Sequence, residues 1–509
     1  MRPGPCIPIE ELQARLRTLP DRRPALLWLA GADVPPPPEV RDVDREALAL
    51  RTPGDLHAQL LKDNHQRGVY YTPAALAEPT ARLTLEPLLT DIERLPRVLD
   101  PAMGGGSLLL AAGVVMAGWL VTQGMAEMDA RQQAVQRLFG LDHDAFAVRL
   151  AGLMLRRWAG LAPGSLITAN TLLGSPLLPG RFDAVVGNPP YASVFTRARA
   201  EDWKRYKHRI KKRYRSAVGS FDLSVPFVEY SLAMLRAGGR CGLVLSNKLL
   251  GAAYAEQLRA IVEQEATVSM LIEADNAFRV DIYPHIWILE KTPPAPDEPV
   301  RVITGSSAHT HTQADLHGHL WSGALSPDWA RLRTRFGGLP RLRDVAVVTA
   351  GMTVDESYRA DAVTQDGEPG PNHARLITAG LLRRGEMLWG RKMCRFHRRD
   401  YRRPVVPLEA LSPRRRAQAH RPKIIVAGLA KRIRAVGDDG PSVGTSGTVV
   451  ITDSAVPLVD LCAWLNSDEL DTWAQAVYRA LSLANGYKRF GKREIGDLPL
   501  AAHLTAQDT

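Results

Sequence analysis

Cysteine is scarce. The 509 residues hold four, Cys6, Cys241, Cys394 and Cys462, and none lies near another. That excludes a disulfide framework and zinc-ligand spacing, so no metal is expected, and it fits a reducing, cytoplasmic home. Long apolar runs are missing too. The most apolar stretch, 108–121, stops short of the roughly 20 residues a spanning helix needs and is interrupted by Gly113 and Gly118. No membrane partner is expected. A secretory leader is not expected either, because the short apolar run at 25–30 leads into Pro35 to Pro38 and not into a cleavage site. There is no internal repeat. Acidic residues are in deficit, 54 against 65 Lys and Arg, and the net charge of +11 suits a polyanionic partner. What remains is globular: 45% apolar and 23% charged residues exclude wholesale disorder, collagen and coiled coil. The length predicts two or three domains.

Residues 1–55, rich in proline and arginine, read as an N-terminal extension with one helix near 9–19. From 56 to 292, β-like runs at 97–99, 138–141, 184–186, 240–245, 268–272 and 286–289 alternate with helical patterns. Strand–helix alternation of this kind predicts an α/β fold, a mainly parallel Rossmann-like sheet covered on both faces. Residues 293–340 read as linker and transition, opening on prolines at 293–299 and including a histidine-rich stretch, 309–319, expected as a solvated loop. From 341 to 509 short β-runs alternate with Arg-rich loops before a late helical stretch at 459–480, which predicts a second, α+β domain.

The strongest chemical signal is Asn188-Pro189-Pro190-Tyr191, directly after the strand at 184–186. Two prolines remove two backbone donors and fix φ twice, so the strand ends in a rigid loop with carbonyls to spare. The Asn188 side-chain oxygen and the Pro189 carbonyl can together accept both hydrogens of one exocyclic amine. Such an amine is a poor nucleophile because its lone pair is delocalised into the ring. Two acceptors favour a more tetrahedral nitrogen with a localised lone pair. Tyr191 offers a flat face on which a planar base stacks.

A second signal lies upstream. A β-run ends at Asp100, passes through Pro101-Ala102-Met103-Gly104-Gly105-Gly106 and enters a helix. Gly104 and Gly106 permit close backbone approach to a ligand, and a carboxylate at a strand's C-terminal end sits where such sheets bind ligands. The loop lacks the lysine of a phosphate-binding loop, and Leu109 replaces the third glycine of the dinucleotide fingerprint, which disfavours ATP and NAD. A carboxylate beside a glycine loop suits a ligand with a positive amino group, such as S-adenosyl-L-methionine. About 40 residues on, Asp142 ends the next strand and is placed to hold both ribose hydroxyls, while Asp144 is placed to cap the following helix.

In this order the motifs resemble those of the S-adenosylmethionine-dependent DNA adenine-N6 methyltransferases, and more closely the gamma class of TaqI type found in restriction-modification systems. The resemblance covers about 56–500 discontinuously and is sharper in the first half. It implies that Thr72, in Gly68-Val69-Tyr70-Tyr71-Thr72-Pro73, packs against the methionine end of the cofactor. It adds Pro101 and Ala102 to the cofactor loop and makes Phe278 the ring that sandwiches a flipped adenine with Tyr191. It makes residues 341–509 a target-recognition domain, double-stranded DNA the partner, and a separate restriction endonuclease or defence-system subunit a possible associate. One departure stands out: where the family carries an acidic residue facing the cofactor adenine, this chain has Asn170, which accepts a hydrogen bond without charge assistance.

The segment 203–215 holds eight Lys or Arg among thirteen residues, with Trp203, Tyr206 and Tyr214 interleaved, and Lys211, Lys212 and Arg213 are assigned to the DNA backbone. Two further basic stretches, 383–403 and 414–434, lie in the second domain. The same Asn-Pro-Pro-Tyr chemistry serves protein-glutamine and RNA-adenine methyltransferases, and a catalytically silent DNA-binding subunit is the alternative outside enzymes. The second domain and the basic balance favour DNA.

Overall fold

The computed structural model describes residues 8–45, 54–57, 72–177, 179–191, 200–274, 283–316, 321–483 and 486–505. The chain divides into two compact units, Met1–Trp321 and Ser322–Thr509.

The first unit is built on a nine-stranded sheet in the order β3-β2-β1-β4-β5-β7-β6-β8-β9. Its strands are β1 Val98–Asp100, β2 Leu138–Asp142, β3 Ser165–Thr168, β4 Phe182–Gly187, β5 Leu235–Ser246, β6 Thr267–Glu273, β7 Pro284–Glu290, β8 Pro299–Thr304 and β9 Ser307–Thr312. From β3 to β5 all pairings are parallel, and β7 runs antiparallel between β5 and β6. The chain therefore leaves β1 toward β2 and β3, then returns to pair β4 on the other side of β1. That reversal is a topological switch point, where open α/β sheets bind ligands beyond the strand C-termini.

The helix Ser107–Thr122 is apolar on almost every side. It is buried accordingly, between the sheet and the helices Ala74–Leu85 and Glu127–Gln136. The helix Ala145–Ala159 is amphipathic on two faces. Ala151, Met154, Leu155 and Trp158 join the sheet-side core, while Leu150, with Phe146 and Leu153 beside it, joins a second cluster made by the N-terminal residues Leu12, Leu16, Leu26, Leu29 and Leu56. The N-terminal extension is thus a docked layer. It contains two helices, Ile9–Thr18 and Arg23–Leu29, where one was expected.

Residues 293–340, expected as a linker, are mostly structured. β8 and β9 extend the sheet, and His309 and His311, expected in a solvated loop, lie on β9 with His311 buried. The edge strand β9, reading Ser-Ala-His-Thr-His-Thr, shows little apolar alternation, so its strand character comes from pairing with β8. Beyond Trp321 the helix Trp329–Phe336 belongs to the second unit, where Phe336 packs on Trp464 and Trp473.

The second unit contains two four-stranded sheets with helices, an α+β arrangement as expected. One runs through Val347–Ala350, Thr448–Thr452, Lys423–Ala427 and Ala435–Asp438, all antiparallel. The late helical stretch is two helices, Leu458–Leu465 and Asp468–Val477, divided where Ser467 caps the second by accepting from the Leu470 N–H at 3.1 Å. Among the described residues no helix is long and apolar enough to cross a membrane.

Candidate functional site

The site forms at the C-terminal ends of β1, β2 and β4. Pairing of β1 with β2 and β4 sets Asp100 and Asp142 beside the loop that follows Gly187. A Cβ on Gly187 would lie 3.4 Å from Pro101 Cδ and 3.6 Å from Asp100 Oδ1, so the Asn-Pro-Pro-Tyr loop starts against the glycine loop.

The glycine loop is held by its own backbone. Gly104 and Gly106 take φ of 51° and 85°, left-handed values that glycine adopts without cost. The Met103 N–H donates to the Leu141 carbonyl at 3.0 Å and the Gly104 N–H to Asp142 Oδ2 at 2.9 Å. Asp142 Oδ1 accepts from the Asp144 N–H at 2.9 Å. Asp142 therefore latches the β1 loop to the β2 loop and stands between them. Asp144 caps the helix Ala145–Ala159, accepting from the Phe146 N–H at 2.9 Å.

Asp100 is buried. Its Oδ1 accepts from the Ala102 N–H at 3.0 Å, and its Oδ2 has no hydrogen-bond partner among the described residues. Burial first, then the neighbouring Asp142 charge, push its carboxyl up to about 8 against the pull of the Ala102 N–H. An orphaned carboxylate oxygen beside a glycine cradle is a receptor for a cationic group. Thr171 Oγ1 donates to the Pro101 carbonyl at 2.6 Å and fixes the turn after Asp100.

Asn188 is half-buried, and its Nδ2 donates to Thr72 Oγ1 at 2.9 Å. That bond directs Oδ1 away from Thr72. The Tyr191 hydroxyl stands 2.6 Å from Asn188 Oδ1 and 3.0 Å from the Val244 carbonyl. Tyr191, expected to offer an open face, is buried, with its phenol turned onto the acceptor of its own loop. The Pro189 carbonyl accepts no hydrogen bond among the described residues.

Thr72, Asp100, Pro101, Ala102, Gly104, Gly106, Asp142, Asn188, Pro189, Pro190 and Tyr191 are thus gathered at one end of the sheet. Asn170 lies at an exposed rim. Its Oδ1 caps a short helix by accepting from the Leu173 N–H at 3.2 Å, and its Nδ2 lies 3.5 Å from the Tyr206 hydroxyl. Phe278 and residues 68–71 lie outside the described residues. The basic segment forms the helix Ala200–Arg213. Ile210 and the following Tyr214 are buried, with Tyr214 Oη donating to the Leu172 carbonyl at 2.9 Å, and Lys211, Lys212 and Arg213 are exposed. Lys207 is pushed below the usual lysine range by desolvation first and then by the Lys211 charge one turn away.

Residues at the start of the expected core, on either side of its boundary at 55/56, also reach the site. Gly54 meets Gly105 backbone to backbone: a Cβ on Gly105 would fall 2.6 Å from Gly54 Cα. His57 Nε2 lies 2.9 Å from Asp144 Oδ2, and that bond is the main reason the Asp144 carboxyl is held down at about 2. The local signal is the glycine at 54, which follows a proline in the sequence and opens the short helical turn 54–57.

The family described as N-6 DNA methylase matches residues 54–317, more than half of the chain. The chain belongs to the N-6 DNA methylase family. It is 30% identical over 210 residues to the Type II methyltransferase M.PaeR7I of Pseudomonas aeruginosa, covering 38% of this chain and 35% of that protein. It is 34% identical over 139 residues to the Type II methyltransferase M.XhoI of Xanthomonas vasicola, covering 26% and 24%. The chain thus spans about a third or less of the length of these relatives. Among solved structures it resembles the Type IIL restriction-modification enzyme MmeI in complex with DNA, with a TM-score of 0.55 at 11% identity over 97% of this chain and 81% of that one. At that identity the likeness is one of fold.

Proposed function

We propose that this chain is a site-specific DNA methyltransferase of the gamma, TaqI-type class, modifying the N6 amine of adenine in double-stranded DNA within a restriction-modification or phage-defence system. The observation that carries the reading is the meeting of two half-sites at the switch point. One is a cationic-group receptor made by Asp100, the glycine loop and Asp142. The other is the acceptor pair of Asn188 Oδ1 and the Pro189 carbonyl.

Bound there, S-adenosyl-L-methionine supplies a sulfonium methyl group. Asp100 Oδ2 receives its amino group, Asp142 its ribose, and the backbone of Gly104 to Gly106 lets it approach closely. Asn170, already a helix cap, keeps one lone pair of Oδ1 for the cofactor adenine. A target adenine in a duplex lies inside the stack, so it must be extruded at a cost of a few kcal/mol. Asn188 and Pro189 then fix the amine by its two hydrogens, while Tyr191 and Phe278 hold the ring. Catalysis in this arrangement is positioning and polarisation. Lys211, Lys212 and Arg213 grip phosphates, and the second unit selects the sequence. This reading is compatible with a separate endonuclease or defence subunit as an associate and does not require one. Radiolabelled methyl transfer to duplex DNA by the wild type and by Asn188→Ala tests the proposal. Transfer abolished in the variant supports it, and equal transfer overturns it.

A further inference from the structure

The second unit carries many arginines, and most are engaged. Arg375 pairs with Asp438, Arg384 with Asp468, Arg391 with Glu386, Arg403 with Glu368 and Arg421 with Asp453. One element departs from this pattern. The strands Cys394–Phe396 and Arg399–Tyr401 pair antiparallel across the two-residue turn His397-Arg398. Arg395, Arg398 and Arg399 are exposed and, among the described residues, make neither an ion pair nor a side-chain hydrogen bond. Within 391–403 there are seven Lys or Arg and a single acid, Asp400. Asp400 sits in register opposite Arg395 and, among the described residues, makes no ion pair either.

This hairpin is anchored. Cys394, Phe396 and Tyr401 are buried in the core shared with Leu376, Leu381 and Val406. Its base is tied by the Gly390 N–H donating to the Arg402 carbonyl at 3.0 Å and by Trp389 Nε1 donating to the Pro404 carbonyl at 3.0 Å. At the tip His397 takes a left-handed φ of 50° and is braced between Phe396, at 4.7 Å, and Tyr358, at 4.5 Å. Tyr358 is itself 63% exposed.

We infer that the hairpin Cys394–Tyr401 is the ribbon by which the second unit enters a groove of duplex DNA, with Arg395, Arg398 and Arg399 as its contacts. A two-stranded ribbon fits the major groove, and arginine pairs bidentately with guanine there. Three fixed cations and one uncommitted carboxylate offer both donors and an acceptor, the equipment for reading base edges as well as for gripping phosphates. A merely solubilising face has no need of a core-anchored, aromatic-braced tip. The inference rests on the DNA methyltransferase reading.

The test uses the full chain. Long-read mapping of methylated DNA from expressing cells first defines the wild-type motif, and binding to that motif is then compared with binding to unrelated duplex. Arg395→Ala, Arg398→Ala and Arg399→Ala, singly, should weaken motif binding roughly 5- to 150-fold for each base-reading arginine and leave S-adenosylmethionine binding unchanged. Arg398→Lys keeps the charge but not the fork, so it should relax the motif at one position while retaining nonspecific binding. If the wild type methylates its motif and all variants match it in rate, motif and binding, the hairpin assignment is wrong and the enzyme reading stands. If the wild type binds no duplex DNA, both fall together.

Discussion

The Tyr191 hydroxyl lies 2.6 Å from Asn188 Oδ1 and 3.0 Å from the Val244 carbonyl. The acceptor assigned to the target amine is therefore held by a phenol of the same loop. With one hydrogen to give, Tyr191 donates to one of these oxygens at a time, and its bond to Asn188 Oδ1 is a neutral one, worth net ~1 kcal/mol. A flipped base, bringing two donors, can displace it.

Tyr191→Phe and Tyr191→Ala should therefore separate. The first keeps the ring and frees the acceptor, so single-turnover methyl transfer should stay within about tenfold of wild type, the scale of one hydrogen bond. The second also loses base stacking of roughly 1–3 kcal/mol and should fall further. Equal losses in the two variants would assign the role to the hydroxyl instead of the ring.

Asp142 and Asp144 should fail in different ways. Asp142→Ala releases the Gly104 N–H and the ribose, and cofactor binding measured by calorimetry should weaken by roughly 1.5–3 kcal/mol, the range for a charged hydrogen bond. Asp144→Ala removes a helix cap, worth about 0.5–2 kcal/mol, and should chiefly lower the melting temperature. Because His57 holds the Asp144 carboxyl at about 2, below its unfolded value, its stabilisation is present above about pH 4 and is lost as pH falls through 2. A larger cofactor defect in Asp144→Ala than in Asp142→Ala would move the ribose to Asp144.

Asp100 gives a pH dependence in the neutral range. Its carboxyl, pushed up to about 8 without ligand, is mostly neutral at pH 7, and a cationic amino group selects the ionised form. Binding should release a proton and tighten from about pH 6 to 7.5, where the free carboxyl is still largely protonated. Calorimetry in buffers of different ionisation enthalpy reads that proton directly. Asp100→Asn should bind more weakly and lose the slope. An unchanged slope would place the cationic group elsewhere.

The parts of the site legible in the sequence are those in which chemistry and strand end coincide. Asp100 to Gly106, Asp142 and Asn188 to Tyr191 each follow a β-run directly, so local order placed them at one edge of a parallel sheet. The inward turn of Tyr191 was not legible, because it depends on Val244, a strand away. The His57–Asp144 bond joins residues 87 apart, a separation that no local pattern spans. β9 was hidden by its polar edge sequence. The unpaired arginines of the hairpin stand out only once distant acids such as Asp468 and Glu368 are seen to occupy their neighbours.

The basic helix Ala200–Arg213 should act without regard to sequence. Replacing Lys211, Lys212 and Arg213 together with Gln should weaken binding to every duplex alike. It should also shallow the dependence of log K on log salt by up to about 0.9 for each phosphate no longer neutralised. A selective loss at one sequence would make these residues readers and not a grip.

The most direct measurement is modification mapping of genomic DNA from cells expressing the wild-type chain and, separately, Asn188→Ala. The expected result is N6-methyladenine at one sequence motif in the first and none at that motif in the second, with the variant still folded and still binding cofactor. Methylation of another base, or the same motif methylated by Asn188→Ala, would contradict the assignment of Asn188 as the amine acceptor of an adenine methyltransferase.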